Sequence, residues 1–149
     1  MNKPTLSNRI TKPILVFFLI TFIACVSISR FDQYSYAQTT SIKVDALELM
    51  DLAVNDYSSY EANDRDFQTK LKKIYEYEKN KPKNDITIKL WDKLIDPNGH
   101  LLGGFLNRWK TEKKLNETFV TEEKKLVDQA FDQITGLESN KIKASDLTN

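Results

Sequence analysis

The sequence predicts an all-α fold, a small bundle of four to five helices preceded by an N-terminal hydrophobic export helix. Three observations predict it. Glycine and proline are scarce: neither occurs in the 44 residues from Gln38 to Lys81, nor in the 31 between Gly104 and Gly136. A sheet needs a turn about every 8–12 residues, and turns usually consume those residues, so long unpunctuated charged stretches favour helices. Through these stretches apolar residues recur at three- and four-residue steps, the spacing that lines one face of a helix. Finally, an almost unbroken apolar run, Ile14 to Ile28, follows a polar and basic start.

That start carries Lys3, Arg9 and Lys12, and the residues from Arg30 to Tyr36 are mostly polar again, which is the three-part layout of a secretory signal. This run of fifteen residues would reach about 22 Å as a helix, short of a hydrocarbon core of about 30 Å. Ser35-Tyr36-Ala37 places small residues at −3 and −1 of a cut between Ala37 and Gln38. The expectation is therefore a signal peptide over residues 1–37 cleaved before Gln38. The alternative is retention as an N-terminal membrane anchor, with membrane contact through Ile14 to Ile28. A lipidated Cys25 fits less well, because Phe22 suits that motif poorly and apolar residues continue past the cysteine. In each case the basic flank stays inside, and residues 38–149 form an extracytoplasmic helical domain.

The first helix is expected from Ile42 to Tyr60, with Ile42, Ala46, Leu49, Met50, Ala53, Val54 and Tyr57 inward and Thr40 or Ser41 as cap. The second spans Asp64 to Asn80, with Phe67, Leu71, Ile74 and Tyr75 inward, and is followed by a charged connector broken at Pro82. The third is Ile86 to Ile95, capped by Asn84 or Asp85. Asp96-Pro97-Asn98-Gly99 then makes a turn, since proline fixes φ and Asn-Gly tolerates left-handed geometry. A fourth helix starts near Leu101 or Gly104 and presents Phe105, Leu106 and Trp109 before its apolar phase lapses across Lys110 to Lys114. The last begins at Thr121 as N-cap, buries Leu126, Val127, Ala130, Phe131 and Ile134, and stops at Gly136, leaving residues 139–149 frayed.

Of the 22 basic and 21 acidic side chains, 18 and 20 remain after residue 37, a net charge of −2. This excludes a strongly basic nucleic-acid binder, and the single cysteine excludes a disulfide-stapled miniprotein. A metal face of Asp92, Asp96 and His100 would need an unbroken helix that Pro97 and Gly99 interrupt, so no metal or other cofactor is expected. The carboxylate pairs Glu76/Glu78, Glu122/Glu123 and Asp128/Asp132 all fall on faces expected to be wet, whereas a glycosidase needs two acids across a cleft. Tyr57, Tyr60, Tyr75 and Tyr77 read as helix-edge residues with hydrated hydroxyls.

The most unusual stretch is Leu101-Leu102-Gly103-Gly104-Phe105-Leu106, flanked by Trp91 and Trp109. Trp91, Leu101, Leu102, Phe105, Leu106 and Trp109 are candidate residues for docking a partner. The favoured reading of the same residues is a packed corner, because so lean a domain needs its aromatics inside. Asn116-Glu117-Thr118 is an N-glycosylation sequon. The function expected is a non-enzymatic exported protein that binds an unidentified protein partner at or outside the cell surface. The alternatives are a single-anchor accessory subunit of a membrane complex and, less favoured, a carboxylate-dependent hydrolase.

Overall fold

Asp32 caps the first described helix. Its carboxylate accepts hydrogen bonds from the backbone N–H groups of Tyr34 (2.9 Å) and Ser35 (3.2 Å), capping helix α1, Gln33–Asp51. The computed structural model describes residues 31–147, apart from the side chain of Ala144. Within them are five α-helices and no strand: α1, then α2 (Glu61–Lys79), α3 (Asp85–Ile95), α4 (Leu102–Glu112) and α5 (Glu117–Glu138). Short 3₁₀ turns at Leu52–Val54 and Tyr57–Ser59 join α1 to α2, and a third, Ala144–Asp146, follows α5. The export helix expected over residues 14–28, with Cys25, lies outside the described residues.

The predicted stripes are the buried faces. Ile42, Ala46, Leu49 and Met50 of α1, Phe67, Leu71 and Ile74 of α2, Trp91 and Leu94 of α3, and Val127, Phe131 and Ile134 of α5 share one core. Helix α5 lies along α1 and α3, α2 lies along α1, and α3 also touches α2 and α4. Burying one apolar face per helix against its neighbours is what stabilises such a bundle, because the stripes have no other way to leave water.

Several boundaries differ from the expected ones, each for a local reason. Helix α1 starts nine residues earlier than Ile42, so Thr40 and Ser41 lie within it and Asp32 takes the capping role. It also ends at Asp51, and the chain turns twice in 3₁₀ form where a continuous helix to Tyr60 was expected. Helix α5 starts at Glu117, because Asn116, five residues before the expected cap Thr121, accepts from the N–H groups of Thr118 (2.9 Å) and Phe119 (3.4 Å). Leu126, expected inward, is exposed. Gly136 does not stop α5: the left-handed residue is Asn140 at φ 56°, and a Cβ on Gly136 would stand 2.9 Å from Ile142, so this glycine makes room for the returning chain.

The loss of phase after Trp109 corresponds to the end of α4, where Lys113 takes φ 68°. That turn is fastened to the first 3₁₀ region: Tyr57 N–H donates to the Lys113 carbonyl (2.7 Å) and Leu115 N–H to the Ala53 carbonyl (2.8 Å). At the other end of α4, Gly103 is required by close approach. A Cβ there would stand 2.5 Å from the Asp96 carbonyl oxygen, well inside van der Waals contact.

Candidate functional site

The candidate docking residues are inside the molecule. Trp91, Leu102, Phe105, Leu106 and Trp109 are buried and Leu101 is half-buried. The Trp109 indole N–H donates to the Asn55 carbonyl (3.0 Å), and its ring meets Tyr57 edge-on at 5.2 Å and 89°. Trp91 meets Phe131 edge-on at 5.9 Å and 87°. Trp109 thus packs against the 3₁₀ turns after α1 and Trp91 against α5, inside the molecule. Ala37 and Gln38 lie within α1, both exposed. Asn116 is exposed with its side-chain oxygen engaged in the α5 cap.

The metal candidates do not converge. Asp92 accepts from the Tyr75 hydroxyl (2.6 Å), Asp96 accepts from the Asn98 N–H (2.9 Å) as a turn-former, and His100 is exposed. Among the described residues no three His, Cys, Asp or Glu side chains are grouped as a metal ion would need. Asp128 and Asp132 flank Lys43, at 2.7 and 2.5 Å, which ties α1 to α5. The seam between α1 and α2 carries a surface groove of about 440 Å³ lined by Asp45, Glu48, Asp66 and Lys70, with Lys70 bonded to Asp45 at 2.8 Å.

The arrangement that stands out was not anticipated. At the end of the bundle where α1 begins, the apolar stripes become polar while remaining in phase. On α1 the step below Ile42 is Thr39 and then Ser35; on α2 the step above Ile74 is Glu78; on α5 the step above Ile134 is Glu138; on α3 the steps below Trp91 are Thr87 and Asn84. All six are buried. Glu78, expected on a wet face, is 0 % exposed and Glu138 is 1 % exposed. The signal was present in the sequence as polar residues three or four positions beyond the last apolar member of each stripe.

Lys81, just past the end of α2, reaches into this layer. Its ammonium donates to Glu138 Oε2 (2.5 Å) and Ser35 Oγ (3.3 Å) and pairs with Glu78 Oε2 at 3.2 Å. The Ser35 hydroxyl donates to Glu78 Oε1, and the Asn84 amide donates to Glu78 Oε2 (2.7 Å) and to the Glu78 carbonyl (2.8 Å). Asn84 therefore spends its side chain here and makes no side-chain cap for α3. Glu138 Oε1 has no hydrogen-bond partner.

Two carboxylates share one ammonium in a place closed to water. Burial, the largest influence, pushes Glu138 above the ordinary glutamate value of 4.5; Lys81 opposes this and the Glu78 charge adds to it. Glu138 is therefore the group that holds its proton more tightly in the folded chain. A proton held more tightly in the folded than in the unfolded chain stabilises the fold below pH 4.5 and ceases to do so as pH rises from there through the raised value. Glu138→Gln, which keeps an acceptor for Lys81 and removes the surplus charge, is expected to abolish that decline. Urea titrations of the full-length chain across this range check it: a decline as steep in the variant as in the parent assigns the pH dependence elsewhere.

An aromatic group lies beside the same end. Tyr34 and Tyr77 meet edge-on at 4.8 Å, and Phe31 lies 6.2 Å from Tyr36. The Tyr77 hydroxyl donates to Asp32 Oδ2 (2.5 Å); that bond, with Asp32's charge, pushes the phenol up to about 12 and holds Asp32 below its ordinary range. No family model, curated protein or solved structure matches the chain.

Proposed function

We propose that the chain is an exported protein that keeps its N-terminal apolar run as a single membrane anchor and holds residues 32–147 outside as a non-enzymatic helical module that binds another macromolecule. The observation that supports this reading is the use the fold makes of residues upstream of Gln38. A cut between Ala37 and Gln38 would remove the Asp32 cap and the buried Ser35, whose hydroxyl links Glu78 to Lys81. Losing the cap alone costs about 1 kcal/mol, and leaving the buried charges with an unfilled partner costs about 1–3 kcal/mol more. A chain processed at that position would discard part of its own interior.

Basic Lys3, Arg9 and Lys12 before the run favour keeping that end inside and the helical domain outside. None of the described helices is long and apolar enough to cross a membrane, so in this reading attachment falls to residues 14–28. Support for a binding rather than a hydrolytic role comes from the sealing of Glu78 and Glu138: a substrate has no access to these two acids. The N-terminus of the protein isolated from its native membranes tests the proposal. Retention of residues 14–28 is expected, in a chain close to the full 17.3 kDa; a chain beginning at Gln38, or anywhere after Ile28, overturns the anchor.

A further inference from the structure

We infer that Phe31, Tyr34 and Tyr77 form an aromatic collar that sits in the headgroup layer of the bilayer and orients the domain on its anchor. The inference rests on the retained anchor proposed above and adds a lipid-contacting surface to it. Phe31, Tyr34 and Tyr77 are 54 %, 55 % and 38 % exposed, and they are three of the five large apolar side chains exposed among the described residues. The other two, Val44 and Leu126, lie further along α1 and α5. The exposed aromatic surface is thus gathered at the start of α1 and the end of α2, the end of the bundle that the apolar run enters.

Only Ser29 and Arg30 separate Ile28 from Phe31. Three residues span at most about 10 Å, so Phe31 is held within that distance of the run whatever the backbone does between them. A run of about 22 Å is some 8 Å shorter than a hydrocarbon core of about 30 Å, and the bilayer thins or the flanking residues sink to close the gap. Either response brings the headgroup layer to Phe31 and Tyr34. Aromatic rings with a polar tip are the side chains that favour that layer. Tyr77 meets the requirement with its ring against Tyr34 and its hydroxyl on Asp32. The occupant is therefore a lipid surface rather than a soluble protein.

The test uses the full-length chain with Cys25→Ser and one new cysteine, Phe31→Cys, Tyr34→Cys or, as reference, Leu126→Cys, each labelled with the fluorophore NBD and reconstituted in phosphatidylcholine vesicles. Leu126 stands twelve residues before the end of α5, about 18 Å from the collar end along the helix. Labels at 31 and 34 are expected to emit to the blue of the label at 126 and to lose most of their emission to headgroup-level spin-labelled lipid, with the label at 126 unaffected. Far-UV circular dichroism matching the parent certifies each variant as folded. Vesicles are also washed in alkaline carbonate and floated. Protein that stays with the vesicles while labels at 31 and 34 behave like 126 overturns the collar and leaves the anchor standing; protein stripped away by carbonate overturns both.

Discussion

Replacing Lys81 by methionine is expected to destabilise the folded chain by about 3–5 kcal/mol at neutral pH, the cost of leaving a buried charge without its partner. The stem of the side chain is kept in size, so the loss is electrostatic. Glu78 and Glu138 would then face each other with no cation, and both are sealed from water. Because protonation is the escape from that conflict, the defect should shrink as pH falls toward the ordinary carboxylate range. Urea denaturation of the full-length chain followed by circular dichroism measures both the size and the pH trend. A Lys81→Met variant within about 1 kcal/mol of the parent at pH 7 would show the layer to be far wetter than its burial implies.

The second large effect is expected at Trp109→Ala, again about 3–5 kcal/mol, as for deletion of a large buried aromatic. Trp109 is fully buried, donates its indole N–H to the Asn55 carbonyl and packs edge-on against Tyr57. Truncation leaves a void where the end of α4 meets the 3₁₀ turns and strands the Asn55 carbonyl. The melting temperature should fall by ten degrees or more, since each kcal/mol is worth about 4–8 °C in a domain of this size. Were Trp109 a docking residue instead, the variant would melt like the parent and fail only in capture of a partner.

Much of the bundle is legible in the chain itself. Scarcity of glycine and proline and the three- and four-residue spacing identify helices, and Phe67, Leu71 and Ile74 of α2 and Phe105, Leu106 and Trp109 of α4 are buried as the pattern selects. Boundaries are less legible where two residues compete to cap. Asp32 and Asn116 win over Thr40, Ser41 and Thr121 because they stand where the chain emerges from extended geometry, at φ −125° and −73° with ψ above 100°. Leu126, which the spacing selects as inward, is exposed while its neighbour Val127 is buried.

The polar layer follows a different logic. Ser35, Thr39, Glu78 and Glu138 continue the apolar phase of their helices, so the sequence does point them inward. Periodicity gives only a direction around the axis of one helix. Whether a carboxylate in that direction meets water, oil or a cation depends on what the neighbouring helices bring, and here the end of α2 brings Lys81. The same holds for the corner of Trp91 and Trp109, where composition favoured burial but only packing decides which surface is covered. Helical class and most of the apolar faces were legible in the chain alone, because they follow from local spacing. Packing decided that two acids and one lysine lie in the interior, because burial and charge compensation are properties of elements brought together and not of any one segment.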